Sequence, residues 1–288
     1  MTDSKWYWQK RTFPFNARLA SNEPAYMIGV DVAWSPLAEI IGSAGAEAAF
    51  IDMEHTTLSL EEVEHLIIAC DAAGISSLVR VPHVDPKLVS RVLDSGAHGV
   101  IYPDIRTVDE AKLAIAATKY PPAGRRAWGG AHTRSVMWEG ALASKALQEP
   151  DPSARGIYSD HYIDYANGNA HVTILVESPA GVEILPEIVK LPGLDAIWFG
   201  WADFSTQVDF DLEKCTQAAD FVYQTCREAG VGVCLAVDSV ETQPWFPGCF
   251  YFAGLDTLLL ANAIRTAVGN AKQRVSSARQ SAGSPADY

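Results

Sequence analysis

This chain of 288 residues is short of cysteine, of basic charge and of long apolar runs, and each shortage removes a class of function. Its five cysteines are Cys70, Cys215, Cys226, Cys234 and Cys249, and no two have C-x-x-C spacing. A disulfide framework or a zinc site is therefore not expected, and a reducing compartment suits the pattern. Lysine and arginine total 22 against 35 acidic residues, a formal net charge of −13. With no basic patch to outweigh the acid, neither nucleic acid nor an anionic membrane is an expected partner. No apolar run approaches the roughly 18 residues that a membrane span needs. Met1 to Phe15 carry charges but no apolar stretch of the signal-peptide kind, so the expected location is cytoplasmic. No G-x-G-x-x-G follows an apolar run and no P-loop pattern occurs, which weakens a nucleotide-binding reading.

What the chain does contain is an alternation. Short apolar runs lie at Tyr26 to Val32, Ala48 to Asp52, Ser77 to Val81, Gly99 to Tyr102, Val172 to Val176, Ala196 to Phe199, Val231 to Val237 and Phe250 to Ala253. Helical patterns fall between them, at Pro36 to Ser43, Ser59 to Ala73, Pro86 to Leu93, Val108 to Thr118, Gly181 to Lys190 and Lys214 to Ala229, with a last one from Asp256 to about Gln280. Ser59 with Glu62 three residues on reads as a capping box, and Gly74 as the helix end. Continuous apolar strands separated by helices predict an α/β parallel sheet, and eight units in one chain predict a closed (β/α)₈ TIM barrel. The expected layout is an N-terminal segment over 1–25, a single barrel domain over 26–275 with an extra C-terminal helix, and a disordered Ser-, Ala-, Gly- and Pro-rich tail over 276–288. The stretch from Gly124 to Asn169 is long and aromatic. Trp128, Trp138, Tyr158 and Tyr162 in it could shape a pocket for an apolar substrate; a solvent loop or a subunit contact would read the same way.

Barrel chemistry sits at the C-terminal ends of the strands. The ionisable residues there are Asp52, Glu54 and His55 after the second run, Arg80 after the third, Glu177 after the fifth and Asp203 after the sixth. Glu177 and Asp203 lie on neighbouring strands by this count. Two adjacent carboxylates repel, and a divalent cation removes the repulsion; with only oxygen donors at hand the cation would be hard, Mg²⁺, Mn²⁺ or Co²⁺. Helix capping or ion pairing is the alternative for both. Arg80 could grip a carboxylate and balance an enolate, or form a salt bridge to Asp52 or Glu54. His55 is a candidate general base, or a structural histidine. Asp94 ends a helix too far along the chain to reach a barrel mouth of its own subunit. None of the nine lysines ends an apolar run, so a Schiff-base aldolase is not expected.

Five ordered motifs carry a resemblance. They are Phe50-Ile-Asp-Met-Glu-His55, Val79-Arg80-Val-Pro82, Val92-Leu-Asp94-x-Gly96-Ala97, Lys119-Tyr-Pro-Pro-Ala-Gly124-x-Arg126 and Trp198-Phe-Gly200-x-Ala202-Asp203-x-Ser205. Together they resemble the HpcH/HpaI aldolases, metal-dependent class II pyruvate aldolases, over about Tyr26 to Ala263. Two of the stretches are also similar to a fungal, oxaloacetate-using member of that family. The resemblance implies a (β/α)₈ barrel in a homo-oligomer, commonly a hexamer, with sites near subunit contacts. It implies Glu177 and Asp203 as metal ligands, Arg80 facing the keto-acid oxygens, His55 as base with Asp94 as its acidic partner, and Gly200 and Ala202 as backbone positions holding the keto-acid carboxylate. Three departures fall outside that set. Trp201 stands where many relatives have Pro, Leu175 where many have Gln, and Gly29 to Trp34 lacks the usual Trp close after the first Gly. The expected partners are a small 2-keto acid and an aldehyde or other acceptor. Oxaloacetate decarboxylation or a biosynthetic carbon–carbon bond formation would use the same keto-acid residues, and a barrel that kept its binding and lost turnover is the non-enzymatic alternative.

Overall fold

The computed structural model describes residues 13–129, 133–135, 163–237 and 241–282. Eight strands close into one parallel barrel in simple sequence order: β1 (Ala25–Val30), β2 (Ala48–Asp52), β3 (Ser76–Arg80), β4 (Gly99–Tyr102), β5 (His171–Val176), β6 (Ala196–Phe199), β7 (Gly232–Ala236) and β8 (Phe250–Leu255). The helices are α1 (Pro14–Ala20), α2 (Pro36–Ser43), α3 (Leu60–Ala73), α4 (Pro86–Asp94), α5 (Val108–Thr118), α6 (Pro179–Ile188), α7 (Trp201–Gln207), α8 (Leu212–Ala229) and α9 (Asp256–Ala282), with residues 163–169 also helical. Every residue of β2, β4 and β5 is buried, which explains why these strands read as unbroken apolar runs rather than alternating ones.

Two shells of apolar packing follow. Met27, Phe50, Leu78, Ile101, Leu175 and Phe250 fill the barrel interior. Outward-facing Ala49, Ile51, Val79, Val100, Val172, Ile174 and Ile197 meet the surrounding helices. Local chemistry sets the helix starts. Ser59 and Glu62 form the expected capping box on α3, and Thr107 with Glu110 forms a second on α5. Gly74 closes α3 in the left-handed region at φ 72°, where a side chain would be strained.

Two differences from the sequence reading concern the chain ends. The expected N-terminal segment over 1–25 contains α1, whose Phe15 is fully buried among the interior residues. It plugs the end of the barrel where the strands begin. The short helix was hidden because only one of its residues is buried, too few for a periodic pattern. The tail expected to be disordered from residue 276 continues α9 to Ala282, because Ala278, Arg279 and Gln280 are good helix formers; Gly283 and Pro285 follow only afterwards. Residues 283–288 lie outside the described residues. The aromatic stretch leaves α5, which returns toward the strand-start end, and rejoins the sheet at the first residue of β5. Its described part confirms the direction, with Trp128 packed edge-on against Tyr120 just after α5. Both of its ends attach opposite the strand C-termini; the expectation that the stretch shapes an acceptor pocket falls mainly on residues outside those described. Trp138, Tyr158 and Tyr162 lie outside the described residues.

Candidate active site

Register places the site. In the parallel β2–β3 pair, Asp52 stands beside Arg80. Arg80 donates from Nε to Asp52 Oδ1 at 2.9 Å and from Nη2 to Asp52 Oδ2 at 2.6 Å, a bidentate fork. The same Nε lies 3.2 Å from Glu54 Oε2. Phe50 supports the guanidinium, its ring centroid 5.0 Å from Cζ. The salt bridge weighed as the alternative for Arg80 is thus present. The fork leaves the Nη1 amino group out of the pair. Burial pushes the Asp52 carboxyl up, but Arg80 and the backbone N–H groups of Glu54 and His55 more than offset it, so Asp52 is held below its ordinary range.

Across the mouth, β5 and β6 are paired through Val176 and Phe199, so Glu177 and Gly200 leave adjacent strands side by side. Gly200 is the cap residue of α7, and Asp203 lies in that helix's first turn. A side chain at Gly200 could not be accommodated, since a Cβ there would sit 2.3 Å from Glu177 Oε2. The Gly200 N–H donates to the Val176 carbonyl at 3.1 Å. Gly200 also provides space, since its lack of a side chain lets the Glu177 carboxylate lie against it. Glu177 is 4% exposed and its Oε1 accepts from the Asp104 N–H at 2.6 Å.

The electrostatics of this mouth are those of an anion excess. Burial, with the charges of Asp203 and Glu54, pushes the Glu177 carboxyl up to about 7 against the lowering by the Asp104 N–H and Arg80. Burial also pushes Glu54 to about 7, with Asp52, Asp203 and Asp104 adding to it and Arg80 opposing. Glu54 Oε2 is a buried oxygen without a hydrogen-bond partner. With Arg106 paired to Asp104, Arg80 alone does not neutralise Asp52, Glu54, Glu177 and Asp203, and a divalent cation between Glu177 and Asp203 would offset the excess. The donor set fits such an ion: anionic oxygens, a neighbouring backbone held clear by Gly200, and no third His, Cys, Asp or Glu completing a cage among the described residues. Two protein carboxylates with the remaining positions left to water and substrate is the way hard, reluctantly dehydrated cations are bound.

The remaining expected residues separate into near and far. His55 follows β2 at the mouth with its side chain 58% exposed, Nε2 lying 3.5 Å from Glu54 Oε2. Ala202 stands in the first turn of α7 beside Asp203. Asp94 is the last residue of α4 and lies at the strand-start end, where Arg126 Nη2 donates to its Oδ1 at 2.6 Å. One chain does not bring Asp94 to His55. Asp104 was missed by the sequence reading; its link to Glu177 is a backbone N–H, which no side-chain pattern reveals.

Comparison with known proteins agrees with this geometry. The family model for HpcH/HpaI aldolase/citrate lyase matches residues 27–246. The 2-keto-3-deoxy-L-rhamnonate aldolase of Salmonella gallinarum is 27% identical over 278 residues, 93% of this chain and 97% of that protein. A 4-hydroxy-4-methyl-2-oxoglutarate aldolase of Chaetomium globosum is 30% identical over 227 residues, 76% of this chain and 78% of the relative. The crystal structure of macrophomate synthase superposes with a TM-score of 0.74 at 22% identity, covering 94% of this chain and 93% of that one, a likeness of fold.

Proposed function

The chain belongs to the HpcH/HpaI aldolase/citrate lyase family, and from that premise we propose that it is a divalent-metal-dependent class II aldolase acting through the enolate of pyruvate or of the pyruvate half of a larger substrate. The observation that carries the reading is the buried Glu177 carboxyl, pushed up to about 7 beside Asp203, with Arg80 the nearby cation. Glu177 and Asp203 would hold Mg²⁺, Mn²⁺ or Co²⁺, which when bound supplies Lewis acidity to the carboxylate and keto oxygens of a 2-keto acid.

The chain's own residues do the rest. Arg80, fixed by Asp52, places positive charge where the enolate oxygen develops negative charge. Ala202 and its neighbours in the first turn of α7 offer backbone N–H groups toward the keto-acid carboxylate. His55, directly or through water, takes a proton from the pyruvate C3 methyl group. The C3 carbon then forms a bond to the acceptor carbonyl carbon, and the acceptor oxygen, now an alkoxide, takes up a proton. Cleavage runs these steps in reverse. Asp94 enters as the partner of His55 only if the strand-start end of one copy meets the mouth of another. The exposed α9 supports assembly of that kind. Its Leu258, Leu260, Ile264, Val268 and Val275 are all solvent-facing, and Ala261, Ile264, Val268, Ala271, Val275 and Ala278 recur at alternating three- and four-residue steps. The expected assembly is a homo-oligomer.

The test is exchange of pyruvate methyl protons in D₂O, followed by NMR with Mg²⁺ or Mn²⁺ and after chelation with EDTA. Metal-dependent exchange is the expected result. Exchange that persists in metal-free protein, or borohydride inactivation in the presence of pyruvate, would overturn the reading.

A further inference from the structure

The keto-acid residues occupy the β2, β3, β5 and β6 side of the mouth, and the arc formed by β7, β8 and β1 has a different chemistry. Residues 228–264, which contain β7 and β8, include no Lys, Arg or His, and neither do residues 19–54, which contain β1 and β2. Among the described residues, the ionisable groups that follow β8 and β1 are acidic and engaged with one another's segments. Asp256 accepts from the N–H groups of Asp31 and Val32, and Asp31 accepts from the Thr257 hydroxyl at 3.1 Å. The arc adjoins the reacting centre, since the Asp31 carboxyl feels the charges of both Asp52 and Arg80.

Its large exposed side chains among the described residues are apolar. Trp34, four residues beyond β1, is 54% exposed, and Val32 and Val237 beside the strand ends are also open. On the other flank Trp201, next to Gly200, is 43% exposed, its ring set 6.0 Å and edge-on to Phe199. A tryptophan left in water forgoes the large apolar burial that its ring offers, and these stand at the entrance to a site that must take a second reactant. Two guanidinium groups elsewhere at the mouth are committed, Arg80 to Asp52 and Arg106 to Asp104.

We propose that Trp34 and Trp201 select an uncharged acceptor carbonyl compound with an aromatic or alkyl body, and that the β7–β8–β1 arc rejects acceptors bearing a carboxylate. The inference rests on the aldolase reading and names its second substrate class. A carboxylated acceptor would meet an anionic mouth without a free guanidinium to receive it, whereas an aryl or alkyl group would bury itself against indole.

The experiment compares kcat/KM for benzaldehyde, glycolaldehyde and glyoxylate as acceptors with pyruvate and Mn²⁺, using the full chain. Benzaldehyde is expected to lead. Trp34→Ala and Trp201→Ala should each lower the benzaldehyde-to-glycolaldehyde preference by roughly ten- to a hundredfold, the worth of one large apolar contact. Val237→Arg should move the glyoxylate-to-benzaldehyde ratio upward by at least tenfold. Ratios between acceptors cancel any general loss of folded or active enzyme. Glyoxylate leading in the unmodified protein, or unchanged ratios in all three variants, overturns the proposal. So does a Trp34→Ala protein whose sedimentation changes while its acceptor ratio does not, because Trp34 would then cover a subunit contact. If the unmodified enzyme fails to exchange pyruvate methyl protons with Mn²⁺, the aldolase reading itself has failed; exchange without the acceptor pattern isolates failure of this proposal.

Discussion

The two ends of the barrel bury polar groups by opposite means. At the strand-start end, the buried basic groups His171 and Lys119 have protein partners. His171 Nε2 lies 3.0 Å from the Thr173 hydroxyl and its ring packs edge-on against Phe15 and Phe250. The Lys119 ammonium donates to the Asn167 and Ala170 carbonyls. A cavity of about 520 Å³ opens there beneath α1, lined by residues that include Asn16, Asn169, His171 and Asp195, yet Asn16 donates to the Asn169 carbonyl and Asp195 accepts from the Val172 N–H. At the mouth, Glu54 and Glu177 are buried with too little positive charge near them. The difference teaches that a cavity alone does not mark a site; unbalanced burial does. Substitutions should accordingly have opposite signs at the two ends, costing function at the mouth and stability at the base.

The largest expected effect is at the mouth. Glu177→Gln and Asp203→Asn should each reduce metal affinity by several orders of magnitude and abolish turnover at limiting metal, because each removes one of two anionic ligands. The metal-free Glu177→Gln protein should be at least as stable as the unmodified one, since an amide oxygen can still accept from Asp104 and the buried charge is gone. Titration calorimetry and thermal denaturation on the same samples check both halves. A variant that keeps its metal affinity but loses stability would make Glu177 a structural residue and erase the contrast.

Next in size is His55. His55→Ala should slow pyruvate methyl exchange by about two to four orders of magnitude, the usual worth of a positioned base, and slow oxaloacetate decarboxylation much less, because loss of CO₂ yields the enolate without removal of a C3 proton. Equal losses would mean that His55 is not the proton-abstracting base. Asp94→Asn should resemble His55→Ala if the two act together. Mixed oligomers of the two variants should then recover exchange, since some sites would combine an intact His55 from one copy with an intact Asp94 from another. Mixing that restores nothing would leave Asp94 as the structural partner of Arg126.

These two cases also show what was legible in the sequence. The barrel was, because continuous burial of β2, β4 and β5 writes itself as unbroken apolar runs, and Ser59, Glu62 and Gly74 act through local chemistry. Arg80, Glu177 and Asp203 were legible as strand-end residues. The Arg80–Asp52 fork needed the register of β2 against β3, and the lift on Glu177 needed its burial in the fold, with Asp203 and Glu54 brought near. The attachment of the aromatic stretch was not legible, because loop length carries no direction: the end at which a connection leaves and rejoins the sheet follows from counting strands and helices, not from its composition.

A substantial effect on stability alone is expected at the base. Phe15→Ala should cost about 3–5 kcal/mol, the range for truncating a fully buried aromatic, since Phe15 is completely enclosed by barrel-interior residues and its ring sits 4.9 Å from Phe250. Metal affinity per folded molecule should not change. Denaturant midpoints combined with metal titration of the folded fraction test this. Loss of metal affinity in a folded Phe15→Ala protein would show that the two ends are coupled.

The smallest effect is a pH dependence in which the two ends pull in opposite directions. In metal-free protein, Glu54 and Glu177 hold their protons up to about 7, whereas in the unfolded chain they release them near 4.5. Between those values the native state binds more protons, so this contribution falls as pH rises and is fully unfavourable above 7. Lifting one carboxyl that far corresponds to roughly 3 kcal/mol at full ionisation, an upper figure given the protein's capacity to relax. His171 behaves in the reverse sense. Burial holds its imidazole below the ordinary 6.5, so the unfolded chain binds more protons below that pH and stability falls as the solution is acidified. From about pH 5 to 6.5 the two carboxyls of the mouth outweigh the single imidazole of the base, so metal-free protein should lose stability as pH rises from 5 toward 7, gently below 6.5, where His171 offsets part of the loss, and more steeply above it. Glu54→Gln should make the curve nearly level from about pH 5 to 6.5 and shallower above it, and His171→Gln should steepen the decline below 6.5 around a lower baseline. Saturating Mn²⁺ should abolish the alkaline decline by neutralising the mouth. Denaturant midpoints measured from pH 5 to 8, with and without metal, give these slopes directly. An alkaline limb indifferent both to Glu54→Gln and to Mn²⁺ would mean that the carboxylates at the mouth carry no unbalanced burial.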